Sequence, residues 1–222
     1  MSNPIRPTFK TEWLPVALII LGFLVGVYFY QHFPVRVATH WGFDGQANGY
    51  SSALVAAFVI PLLMTGMYLL FLFLPYLDPK KEEYVNFAPT YHNFKNLLIV
   101  FFYILFLMTG LNGLGYSINI DFWTPLLVGA LFAVIGVLLS KVKTNWFMGI
   151  RTPWTMSSET VWNKTHQASG WVFIIAGILM AATVLTPPIG KLILFIAAIA
   201  LIVLALPIYS YILFIQEKKE KK

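Results

Sequence analysis

Six stretches of the chain, about residues 14–30, 54–77, 96–118, 122–140, 167–186 and 192–215, contain no ionisable side chain. Most reach the roughly 20 apolar residues that a helix needs to cross ~30 Å of hydrocarbon. None shows the alternation of a membrane strand, and lipid leaves no backbone group unpaired. The expected fold is therefore all-α: a polytopic bundle of six transmembrane helices. Composition agrees. Hydrophobic residues make up 59% of 222 and charged residues 11%, against about 25% charged in a soluble domain. The first stretch reads as an uncleaved anchor, because a cut after Ala38 would put Arg36 where a signal peptide needs a small residue.

The charge pattern supplies an orientation. Thirteen of the fifteen Lys and Arg residues fall at the N-terminus, in the second and fourth linkers or in the C-terminal tail; only Arg36 and Lys191 fall on the other side. By the positive-inside rule both termini are expected in the cytoplasm. The formal charge of +6 is spread over several linkers, so direct nucleic-acid binding is not implied. The chain has no cysteine, which excludes disulfides, thiolate catalysis and thiolate metal sites. The span cores also lack the ionisable residues that coupled transporters keep, which argues against ion-coupled transport. Gly22 and Gly26 form a G-x-x-x-G pair suited to close helix packing, and Pro61 and Pro207 are expected to bend their helices. Gln216 to Lys222 reads as a short charged anchor with a frayed end.

Two linkers are patterned. The outer one, within 31–53, contains Asp44-Gly45 and Asn48-Gly49, two turn pairs that predict a folded cap. His40 is expected to bond Asp44; the two are too few to close a metal site. Trp41, Phe43 and Tyr50 fit an interfacial aromatic belt or a surface facing an incoming peptide. The inner linker, 141–166, is denser. Gly149 permits a turn, Pro153 marks the approach to a helix, and Ser157 or Ser158 caps the next helix with Glu159 in its first turn. On that helix Glu159, Asn163 and His166 fall on one face beside Trp162, with Glu159 and His166 about 10 Å apart along the axis. Arg151 can bind a carboxylate or phosphate, or stack on Trp154. Three readings of this cluster stay open: a self-satisfied interfacial plug, a membrane enzyme or lipid-binding site using Arg151 and His166, and a docking surface for a partner. No paired carboxylate, repeated metal ligand or nucleophile elbow accompanies it, and no cofactor is implied.

The run from Asn145 through Gly149-Ile150-Arg151-Thr152-Pro153-Trp154-Thr155 to Ser158-Glu159, Val161-Trp162, Lys164-Thr165-His166 and Gly170 resembles the signature of SdpI-type bacterial immunity proteins. The outer linker, with Pro34, Thr39-His40, Asp44-Gly45 and Gly49-Tyr50, is similar to the uncharacterised domain that precedes this signature in longer members. It departs from that pattern at Trp41, Gly42, Asn48 and Ala53. The resemblance covers essentially the whole chain. It implies a non-enzymatic bacterial membrane protein that protects a cell from a secreted peptide toxin. In one branch of the family it also implies a receptor that holds a cytoplasmic transcriptional repressor at the membrane. The chain then divides into a two-span region, 1–93, and a four-span region, 94–222. Partner contacts are expected at Arg151, Trp154, Glu159, Trp162, Asn163 and His166 inside, and at His40, Trp41 and Asp44 outside, with lipid around the spans.

Overall fold

The computed structural model describes residues 5–220. Thr8 opens α1 (Phe9–His32) with a reciprocal cap, its hydroxyl accepting from Thr11 N while the Thr11 hydroxyl accepts from Thr8 N. An antiparallel pair, β1 (Arg36–Trp41) and β2 (Ala47–Ser52), leads into α2 (Ala53–Leu77). A 3-10 segment, Lys81–Phe87, precedes α3 (Ala88–Gly113) and α4 (Ile120–Leu139). An irregular loop and the short α5 (Pro153–Ser157) come before α6 (Glu159–Ala182). The last span consists of α7 (Pro188–Ala200), a π-helical turn over Leu201–Ala205, and α8 (Leu206–Glu220). That wide turn sits where the Pro207 ring would press on the carbonyl four residues back, at Val203, so the distortion has a local cause. Among the described residues six helices are long and apolar enough to cross a membrane. Gln216 to Glu220 belong to α8, whereas Lys221 and Lys222 lie outside the described residues.

Among the described residues the spans are all helical, as expected, and the folded cap between α1 and α2 is built from strands. It is a β-hairpin, with Val37 opposite Ser51 and His40 opposite Gly49. Asp44-Gly45 makes the turn, with Gly45 at φ +78° and Asp44 Oδ1 accepting from Gln46 N. Asn48-Gly49 makes no second turn but lies within β2. One reversal already brings the strands into register, and the short run Arg36 to Trp41 is too brief to show alternation beside the helical signal. Val37 is buried and roots the hairpin on α3, where a Cβ at Gly113 would stand 2.7 Å from Val37 Cγ1.

The helices meet through small residues. Gly22 and Gly26 face Pro61 and Ala57 of α2 in the same chain, which is packing within one subunit. Between α4 and α6 the backbones themselves touch: a Cβ at Gly177 would stand 2.5 Å from Gly129 O, and one at Gly136 would stand 2.7 Å from Gly170 O. Among the described residues three cores form: one of Ala176, Met180 and Ala198 between α6 and α7, and two at opposite ends. Phe29, Ala57 and Phe106 pack below the hairpin. Ile5, Tyr84, Phe87, Tyr91, Leu139, Met148 and Trp162 pack at the end that carries both described termini.

Charges enter the helices outside the uncharged stretches. Lys95, counted above with the basic linkers, is buried in α3 and donates to Glu12 of α1 at 2.6 Å, with its ammonium 5.4 Å from the centre of the Tyr68 ring. A second pair, Lys191 with Asp121, joins α7 to α4 at the hairpin end. Removing one member of a buried pair leaves the other uncompensated. Lys95→Met is therefore expected to destabilise the protein by about 3–5 kcal/mol. The double change Lys95→Met with Glu12→Leu is expected to recover much of that loss. Thermal unfolding of the purified variants in detergent checks both outcomes.

Candidate functional site

The loop from 141 to 152 has no regular structure to satisfy its backbone, and side chains do that work. Asn145 is fully buried and makes four bonds. Its Oδ1 accepts from Phe147 N and Met148 N, and its Nδ2 donates to Lys143 O and Met148 O. Asp78, at the end of α2, is also buried; its carboxylate accepts from Trp146 N, the Tyr84 hydroxyl and Lys80 N. Sequence reasoning did not single out Asp78. The available signal was Asp-Pro directly after an apolar run, a common place for an Asp side chain to close a turn.

His166 closes the same loop. Its Nε2 accepts from Ile150 N at 3.0 Å, so Nδ1 carries the proton that is donated to Trp162 O at 2.9 Å. Its ring stacks on Trp162 at 4.0 Å between centroids, and Trp162 Nε1 donates to Val142 O. Gly149 has φ +120°, and a Cβ there would stand 2.4 Å from His166 Nε2, so two constraints select glycine. The other side of the loop is tied to α8: Thr152 bonds Ser210, Ser158 donates to Glu217, and Trp154 packs on Tyr211.

The predicted inner residues therefore separate. Trp162 and His166 are interior and brace the loop, so a partner at the surface does not reach them. Arg151 is exposed and donates to Trp146 O; it neither pairs with Glu159 nor stacks on Trp154. Glu159 is exposed, Asn163 and Trp154 are half-buried, and Ser158 caps α6 by accepting from Val161 N. Helical spacing put Glu159, Asn163 and His166 on one face, but the loop covers only the His166 part of it.

At the opposite end, His40 Nδ1 bonds Asn48 Oδ1 at 2.5 Å, not Asp44, whose carboxylate is used in the turn. His40 and Asp44 are exposed and Trp41 is half-buried. The hairpin extends from its root on α3 to the far half of the bundle. Phe43 meets the edge of Phe195 on α7, and a Cβ at Gly45 would stand 3.0 Å from Asp121 Cβ. Beneath it is a cavity of about 640 Å³ that His40 and Trp41 help to line. It is built from the hairpin, α2, α3, α4, α6 and α7, together with the 3-10 turn after α6. No single segment announced it. Among the described residues no three His, Asp or Glu side chains converge to hold a metal ion.

Asn145→Ala would leave four backbone groups without their partner, and the two buried ones, on Met148, each cost about 1–3 kcal/mol when unsatisfied. Hydrogen exchange at Phe147 and Met148 is expected to speed up by at least tenfold, with the hairpin amides unchanged. Exchange mass spectrometry in detergent measures both regions.

Residues 141–210 match the SdpI/YfhL protein family, and residues 17–65 match a domain of unknown function, DUF1648. The first match contains most of the braced loop and α6; the second contains the hairpin. The chain is 31% identical over 199 residues to the Immunity protein SdpI of Bacillus subtilis strain 168, an alignment covering 90% of this chain and 92% of that one. No solved structure matches. With its six spans and this end-to-end likeness, the chain belongs to the SdpI/YfhL family and is a multi-pass bacterial membrane protein.

Proposed function

We infer that this protein confers immunity to a secreted peptide toxin, with the hairpin end outside the cell and both termini in the cytoplasm. The observation that carries the function is the likeness to a protein named for immunity, which runs through both patterned linkers. The orientation rests on charge: the hairpin end holds Arg36 and Lys191, and the other thirteen basic residues belong to the opposite side. The outer residues His40, Trp41 and Asp44 then stand where a peptide arrives. On the cytoplasmic side Arg151, Glu159, Asn163 and Trp154 form the accessible part of the braced loop, a surface suited to a protein partner such as a transcriptional repressor. Trp162 and His166 support that surface from within. The same two regions, 1–93 and 94–222, serve the outer and inner tasks.

The enzyme reading loses its proton carrier. Both ring nitrogens of His166 are engaged by backbone, so neither is free to exchange a proton with a substrate. That supports a non-enzymatic reading of the cluster.

Because the chain has no native cysteine, orientation can be read by labelling. Gln46→Cys is expected to react with an impermeant maleimide in intact cells, and Ser157→Cys only after lysis; the reverse pattern would refute the orientation. Function is tested by survival of sensitive cells challenged with the secreted peptide, with and without this chain at matched membrane levels. Wild type is expected to protect. Arg151→Ala is expected to lose protection with normal exchange at Phe147 and Met148. His166→Ala is expected to lose protection together with faster exchange there. Full protection by both variants would remove the inner loop from the mechanism.

A further inference from the structure

We propose that the cavity under the β-hairpin is the seat of an apolar segment of the incoming peptide, and that the hairpin tip must swing off α4 and α7 to admit it. This rests on the immunity reading above and assigns it a site.

The cavity has the amphipathic grading such a segment needs. Ile60 and Leu105 lie about eight residues from the hairpin-side ends of α2 and α3, roughly 12 Å down, and Met180 joins them as an apolar floor. Polar groups stand near the mouth: the His40–Asn48 pair and the Asp121–Lys191 pair. A volume of about 640 Å³ falls inside the roughly 300–1,000 Å³ of sites that enclose a ligand. That is room for the apolar side chains of a helical turn or two, with peptide backbone and polar residues left at the mouth.

Charge distinguishes a peptide from a phospholipid. A phosphate headgroup calls for an uncommitted Arg or Lys. Lys191, the Lys or Arg that lines the cavity, is held by Asp121, and Arg36 is not among the lining residues. The mouth instead offers what its paired groups leave over: the second nitrogen of His40, the Asn48 amide and the second oxygen of Asp121, which suit amide N–H and C=O partners.

The roof is built to move. A two-stranded hairpin is marginally stable alone and depends on what it leans against. This one is anchored at its root by buried Val37. Its tip is held by one edge-to-face contact, Phe43 on Phe195, and by the approach of Gly45 to Asp121. Phe43 is already 44% exposed, so that contact covers only part of the ring. The fastening at the tip is weak and the one at the root is firm, which is the arrangement of a flap.

The cysteine-free chain permits a direct test. Phe43→Cys and Phe195→Cys are introduced together and bridged on intact cells with a short impermeant bis-maleimide. The probe is the secreted peptide against which wild type protects in the survival assay. Absence of wild-type protection is thus a failure of the immunity reading, recognised before the flap is tested. Bridging is expected to lower protection at least tenfold relative to the same variant unbridged. Thr124→Trp, which fills the cavity without touching the tip, is expected to lower it similarly at normal membrane levels. Undiminished protection by both the bridged and the filled protein would overturn the proposal. So would a phospholipid that co-purifies with wild type and is lost from Thr124→Trp while protection stays intact.

Discussion

Backbone that leaves a helix beside a bilayer must find hydrogen-bond partners within the protein, and the loop between α4 and α5 shows how much follows from that requirement. Its amides and carbonyls are taken up by Asn145, Asp78, His166, Thr155 and Arg151, drawn from the C-cap of α2, from α5, from α6 and from the loop itself. Once those side chains are committed, the position of α2 against α6 is set, and with it the aromatic core from Tyr84 to Trp162. A network of this kind is either complete or a liability, because a half-satisfied buried group costs more than an apolar one. Here Asn145 and Asp78 are each used to capacity or nearly so, which gives the loop one conformation and presents Arg151 and Glu159 at fixed positions above it.

The hairpin end follows a different rule. Its strands face water, so its backbone needs no such cage, and its hold on the bundle is apolar at the root and slight at the tip. The two ends differ in how their backbone is satisfied: side chains from several elements bond the loop, and the hairpin pairs its own strands. The buried pair Glu12–Lys95 fits the same logic, since each charge is sheltered by the other and the pair ties α1 to α3 near the braced end.

The spans were legible because lipid excludes ionisable residues, a constraint acting on every position of a stretch at once. The inner linker was legible as a dense region for a related reason: a loop that cages its own backbone needs many polar side chains. What spacing did not convey was direction. Glu159, Asn163 and His166 share a helical face by periodicity, yet depth along that face is set by where the loop lies across it, a tertiary fact. Nor did His40 bond the expected acid; strand pairing placed Gly49 opposite it and brought the neighbouring Asn48 side chain within reach, and that pairing was hidden by reading Asn48-Gly49 as a turn. The cavity was beyond reach for a plainer reason, since its walls come from elements spread between Thr39 and Phe195.

One helix belongs to both ends. Near its start α6 carries Trp162 and His166, which hold the braced loop; Met180, near its end, looks into the space beneath the hairpin. Its 24 residues make a rod of about 36 Å. Along that rod lies the glycine-on-glycine seam with α4, about 10 Å long from Gly170 to Gly177, where the two backbones meet with no side chain between them. Two rods packed that closely behave as one body. In this chain the braced loop is attached to one end of the α6 rod, and the other end lines the space beneath the hairpin.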